Sequence, residues 1–260
     1  MVRRPISSSV SVARIAAIAR ALGDLSGRMV FIGGAIAPLL QTNPVIPKVR
    51  ATDDVDAIVA TTTYAEAGEL ADRLRERQFR QDIADATHAH RWRAPDGTPF
   101  DVVPTGEHMG GTGSQFDTMA IETAVEAEID AGLIIRHASA AGFLALKWAA
   151  FWDRGAEDPF ESHDLEDILA LMVSRDAIVD EVKHAPPKMR NAVRRGFQWL
   201  AESRDYEDLL AAHLGNARPY QGIASLLRQR VNDVVDATGE KDRRGGLTEL
   251  WAGSHAIDYM

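Results

Sequence analysis

The sequence predicts an α+β protein, with a small mixed β-sheet and flanking helices followed by a C-terminal helical bundle. Three observations carry that reading. Short β-rich runs joined by turns fill the stretch from Met29 to about Val103. After about Ala138 the apolar spacing is almost entirely helical. The switch falls near the middle of a 260-residue chain, which is long enough for one large domain or a compact pair. The division is placed at 1–137, an α/β domain, and 138–260, a helical domain.

Each element has a local reason. Near the start, Ile15, Ile18, Ala19 and Leu22 share one helical stripe, with Ser9 or Ser11 as N-cap. Arg14 and Arg20 interrupt that apolar run, so it is not the core of a signal peptide. MVFI at 29–32 is a buried strand that stops at Gly33-Gly34, and DVDAIV at 54–59 is a second strand. Between Tyr64 and Arg77, the residues Ala67, Leu70, Ala71 and Leu74 mark the inner face of a helix. His88 to Arg93 and Pro99 to Val103 flank Asp96-Gly97, a hairpin signal. The glycine-rich stretch His108 to Phe116 reads as a loop, and Ile121 to Ile135 as two short strands around Asp130-Ala-Gly132. Helices follow at about 139–153, 162–174, 176–184, 187–203, 205–213 and 219–236, partly separated by Pro186-Pro187 and by Gly215 to Pro219. Lys241 to Gly246 reads as a turn.

Composition excludes several classes. With 45% hydrophobic and 26% charged residues the chain is an ordinary globular sequence. A net charge of −9 argues against a broadly basic nucleic-acid coat, though not against a local basic groove. The absence of cysteine removes disulfide scaffolds, thiol catalysis, iron–sulfur clusters and cysteine zinc sites. No apolar run approaches the roughly 20 residues that span a bilayer. The expectation is a cytoplasmic protein without a membrane partner.

The chemistry concentrates at Asp53-Asp54-Val55-Asp56. On a strand, Asp54 and Asp56 point the same way, about 7 Å apart. Two such carboxylates repel, and strands disfavour aspartate; a divalent cation offsets both costs, and hard oxygen ligands suit Mg²⁺. Without further context, a solvated strand end is the better explanation of the pair, since such short motifs arise by chance. Upstream, Gly33-Gly34 allows a tight turn and the close approach of a phosphate to main-chain N–H groups. Downstream, Phe100-Asp101-Val102-Val103 sets a third carboxylate in an apolar strand. Three aspartates from neighbouring strands suit two-metal phosphoryl or nucleotidyl transfer.

With FIGGAIAPLL at 31–40, RATDDVDAIV at 50–59, PFDVVP at 99–104, ALKWAAFWDRG at 145–155 and HDLEDILAL at 163–171, the sequence resembles the nucleotidyltransferase superfamily. More specifically it resembles the AbiEii-like members, which include toxins of bacterial toxin–antitoxin pairs. The resemblance implies a nucleotidyltransferase-fold core, with Asp54, Asp56 and Asp101 as catalytic and metal-binding carboxylates at a two-metal Mg²⁺ site. It implies that Gly33 and Gly34 cradle an NTP, that Lys147 reaches its phosphates, and that Arg50 and Asp164 belong to the nucleotide site. Ala35 departs from the pattern, since many such enzymes carry a serine directly after the glycine turn. The implied activity moves a nucleoside monophosphate from an NTP to tRNA, a protein or a small molecule, with an antitoxin as partner if the toxin likeness extends that far. The alternatives are a non-catalytic nucleotide-sensing or partner-binding module and, more remotely, a metal-dependent hydrolase.

Physical reading of the other candidates leaves choices open. Lys147 lies in a helix apolar almost all round, so it either snorkels to the surface or is buried against an anion. Asp164, Glu166 and Asp167 open the next helix, where acids are ordinary, and Arg154 suits a helix C-terminus. His88 and His90 share a strand face with Trp92 but lack a third zinc ligand. The loop at 110–113 lacks the Lys-Ser/Thr ending of a P-loop. Arg190, Arg194 and Arg195, near Phe197 and Trp199, and Arg228 and Arg230 suit either RNA or, with the acids that follow, a solvated salt-bridged face.

Overall fold

The computed structural model describes residues 9–43, 52–61, 63–82, 90–105, 115–214 and 220–236. The chain forms two compact units, Met1–Phe143 and Leu144–Met260. Among the described residues no helix is long and apolar enough to cross a membrane.

In the first unit, helix α1 (Val10–Leu22) starts at Ser9, whose hydroxyl accepts from the Val12 N–H at 3.2 Å, and it buries the predicted stripe of Ile15, Ile18, Ala19 and Leu22. The described strands are β1 (Met29–Ile32), β2 (Val55–Val59), β3 (Arg80–Gln81), β4 (Arg91–Arg93), β5 (Pro99–Pro104), β6 (Val125–Asp130) and β7 (Leu133–His137). They form one mixed sheet in the order β3-β4-β5-β2-β1-β7-β6. β2 runs antiparallel to β1 and parallel to β5, and β4 and β5 form an antiparallel hairpin. The middle of the sheet is its driest part: Met29, Val30, Phe31, Val55, Ala57 and Ile58 are fully buried, as a strand covered on both faces requires. β6 lies at an edge and exposes Glu126, Glu128 and Asp130, the last paired with Arg20 of α1.

Two short helices flank this core. α2 (Ala37–Leu40) follows β1 through a 3-10 turn. α3 (Tyr64–Glu76) opens with a reciprocal capping box between Thr63 and Glu66 and turns Leu70 and Leu74 inward. The hairpin turn falls where predicted: Gly97 has φ 86°, and the Thr98 N–H donates to Asp96 Oδ1 at 2.9 Å.

The region after the glycine-rich loop differs from expectation. Residues 115–122 are a helix, α4 (Gln115–Glu122), that buries Phe116 and Ala120, and the strand pair begins only at Val125. Phe116 and Ala120 are four residues apart and so share one helical face. Gly132, with φ 72°, makes the tight turn between β6 and β7. The two-residue strand β3 was also not foreseen. At the next helix, α5 (Ala140–Ala150) gives way to a single π turn over Phe151–Gly155 instead of continuing to 153.

The second unit contains α6 (His163–Ser174), α7 (Ile178–His184), α8 (Pro187–Glu202), α9 (Tyr206–Leu214) and α10 (Tyr220–Asp236), close to the predicted spans. Its core is built on Trp148, which is fully buried and meets Phe151 and Phe197 edge-on at ring separations of 5.5 and 5.3 Å. Gly196 of α8 lies directly under that indole, where an added Cβ would stand 2.2 Å from Trp148 Cδ2. Gly196→Ala is therefore expected to destabilise the protein by about 1–3 kcal/mol through overpacking. Gly222→Ala, in an open position on α10, should instead gain a few tenths to about 1 kcal/mol from helix propensity. Urea unfolding of both variants reads the opposite signs; equal shifts would refute the packing account.

Candidate active site

The parallel register of β2 and β5 sets Asp56 directly beside Asp101. Asp54, just ahead of β2 and two residues from Asp56, faces the same way. One carboxylate oxygen from each of Asp54, Asp56 and Asp101 lies within 4.8 Å of the others, and all three residues are half-buried. On the opposite face of the sheet, Val59, Val102 and Pro104 back onto Ala67, Leu70 and Ala71 of α3 around a small cavity. The period-2 alternation thus separates a carboxylate face from an apolar one. Three hard oxygen donors on rigid strands, gathered this closely, fit a divalent cation.

The glycine bend touches this cluster. Ile32 is the register partner of Asp56, and the chain turns at the next residue, Gly33, with φ +71°. A Cβ at Gly33 would lie 2.0 Å from Asp56 Oδ2. Both the backbone conformation and the proximity of that carboxylate require glycine. Gly34 and Ala35 follow in the 3-10 turn and are buried.

Asp53 points elsewhere: its side chain is 95% exposed and pairs with Arg14 at 3.2 Å. Arg14 also donates to the Thr52 carbonyl, and Thr52 Oγ1 donates to the Asp54 carbonyl at 3.1 Å. The approach to β2 is thereby fastened to α1.

One member of the site was not singled out from the sequence. Arg91 of β4 faces Asp101 across the hairpin and grips it with both arms of its guanidinium, Nε to Oδ1 at 2.8 Å and Nη2 to Oδ2 at 2.7 Å. Nη2 also reaches Asp54 Oδ2 at 3.2 Å. Arg91 and Asp101 are each only 14% exposed. The signal was present in the sequence: a hairpin turning at Asp96-Gly97 pairs Arg91 with Asp101 once its register is counted outward from the turn.

Lys147 and Asp164 belong to the second unit and are joined to each other. The Lys147 ammonium lies 2.9 Å from Asp164 and 2.6 Å from Asp167, and these three side chains are 12%, 6% and 6% exposed. Of the two readings for this lysine, burial against anions is the one observed, and the anions present are these aspartates. Arg154 adds two bonds to Asp164, Nε to Oδ2 at 2.9 Å and Nη2 to Oδ1 at 3.1 Å. Asp164 and Asp167 are three residues apart and so share the inner face of α6, whose N-cap is Ser162. Burial alone would lower the Lys147 pKa, but the charges of Asp167 and Asp164 outweigh it and hold the value above the ordinary one. Burial would likewise raise the Asp164 pKa; Lys147 and Arg154 prevail and lower it.

Arg50, His88 and the loop at 110–113 lie outside the described residues. Among the other arginines, Arg230 donates to the carbonyls of Met172, Val173 and Arg175, closing the C-terminus of α6, and Arg228 pairs with Glu207. Arg190 donates to the Lys183 carbonyl at 3.1 Å. These three arginines make structural bonds; Arg194 and Arg195 are half-buried on α8.

No protein-family model matches the chain, and no curated protein does. Among solved structures, the chain is similar to an antigenic nucleotidyltransferase-like protein from Paracoccidioides brasiliensis. The two share 19% identity with a TM-score of 0.51, over 82% of this chain and 97% of that one. The fold is therefore nucleotidyltransferase-like, a mixed sheet with flanking helices and a helical C-terminal part, and it carries a carboxylate cluster suited to a metal ion.

Proposed function

We propose that the protein is a Mg²⁺-dependent nucleotidyltransferase that moves a nucleoside monophosphate from an NTP to an acceptor hydroxyl. The observation that supports this most directly is the convergence of Asp54, Asp56 and Asp101, with oxygens within 4.8 Å of one another, beside the Gly33 bend of a nucleotidyltransferase-like fold. Asp54 and Asp56 would hold the cation, with Asp101 as third ligand. When bound, magnesium supplies positive charge to the α-phosphate and to the departing pyrophosphate. The acceptor oxygen forms a bond to the α-phosphorus, the bond from that phosphorus to the β-phosphate bridging oxygen breaks, and Asp101 takes the hydroxyl proton. In this reading Gly33 and Gly34 bring main-chain N–H groups to the phosphates. The AbiEii-like resemblance supports an acceptor in the translation machinery and a restraining antitoxin partner.

Incubation with each labelled NTP, Mg²⁺ and total lysate tests the reading. Label should pass to a macromolecule or small acceptor with the wild type and fail to do so with Asp54→Ala and with Asp56→Ala. Transfer that survives both substitutions would refute it. A second reading, a nucleotide-sensing module without catalysis, is favoured by Ala35, which supplies no hydroxyl for a phosphate. Binding of NTP with no transfer to any acceptor is the result that would select it.

A further inference from the structure

We propose that Arg91 is a built-in counter-ion of the carboxylate site, competing with divalent cations for Asp101 and Asp54 and limiting the free protein to one weakly held ion. This rests on the metal-site reading above and concerns how that site is regulated. Three carboxylates gathered in a half-buried cluster are a costly arrangement without compensation. Among the described residues, Arg91 supplies a cation to this cluster. Its fork occupies both oxygens of Asp101 and one oxygen of Asp54, the same donor atoms that a divalent ion would use. Each Asp101 oxygen retains one further lone pair, so a first ion can enter between Asp54, Asp56 and the outer edge of Asp101 while Arg91 stays in place. A second ion would bring the cluster to excess positive charge unless Arg91 swings away.

The placement is imposed by the sheet. Arg91 is fixed opposite Asp101 by the hairpin register, and its side chain is 14% exposed, so the grip is part of the folded state and not a passing surface contact. The same geometry explains how the acidic cluster is tolerated before any metal arrives.

Manganese titration of the full-length protein, followed by electron paramagnetic resonance, tests the proposal without any turnover. The wild type should bind one Mn²⁺. Arg91→Gln should bind the first ion about tenfold more tightly, from loss of a competing charge at contact distance, and should admit a second. Arg91→Lys, which keeps the charge without the fork, should fall between them and guards against misfolding of the neutral variant. Thermal melting adds a readout that a purely structural arginine would not move. Arg91→Gln should melt below the wild type in EDTA and recover most of the difference in Mn²⁺. Identical isotherms for wild type and Arg91→Gln, or a melting deficit that Mn²⁺ leaves unchanged, would overturn the proposal and leave the metal reading standing. Absence of Mn²⁺ binding in the wild type and in both variants would overturn the metal reading and the proposal together.

Discussion

Gly33→Ala should cut label transfer by at least about a hundredfold, the effect of misplacing a catalytic group by an ångström or more. The new methyl carbon would stand 2.0 Å from Asp56 Oδ2, so either the carboxylate leaves its position beside Asp101 or the chain after β1 shifts. Backbone strain adds a second cost, because φ 71° with ψ −171° is essentially reserved for glycine and costs another residue about 1–3 kcal/mol. Gly97→Ala separates the two effects. Its φ is +86°, but nothing lies within 4 Å of an added Cβ there. That variant should carry the strain alone, with a smaller loss of stability and transfer intact. Denaturant melts combined with the transfer assay check the pair; a Gly33→Ala protein as active as Gly97→Ala would refute the assigned contact.

The second large effect concerns the buried charges of the helical unit. Lys147→Met is expected to destabilise the protein by about 3–5 kcal/mol, since it leaves the carboxylates of Asp164 and Asp167 without their shared cation. Arg154, 66% exposed, remains to compensate Asp164 only in part. Adding Asp167→Asn to Lys147→Met should recover part of the loss, a coupling that a double-mutant cycle measures. The pH dependence has a defined sign. The contribution of Asp164, with its lowered pKa, is complete above the ordinary aspartate value and is lost as pH falls through the folded one. That of Lys147, with its raised pKa, is complete below the ordinary lysine value and is lost as pH rises through the folded one. Chemical unfolding across pH should show a plateau between these limits, and a loss of this contribution near neutrality would contradict the ion pair.

Much of this arrangement was readable in the sequence because the signals were local and periodic. Alternation along residues 54–56 put two aspartates on one face, and the apolar neighbours of Asp101 marked it as a strand residue. The glycine bend was visible, but its reason was not: only the antiparallel register Ile32↔Asp56 reveals that Gly33 accommodates a carboxylate. Arg91 looked like one more surface charge until pairing across the hairpin was counted. Asp164 and Asp167 could be placed on one helical face, yet their burial against Lys147 depends on contacts between helices that spacing cannot encode. Helix α4 was missed because the glycine-rich run before it suggested a loop, and β3 because two residues carry no period.

The acidic rim of the sheet has a consequence for self-association. An unpaired strand is a template on which a second copy can extend the hydrogen-bond ladder. On β6, Glu126 and Glu128 stand two residues apart ahead of an irregularity in the strand, so an incoming identical strand would meet like charges. At the opposite margin, β3 offers only two residues, too short to nucleate such growth. Among the described residues, both margins of the sheet thus resist polymerisation, by electrostatic repulsion on one side and by brevity on the other.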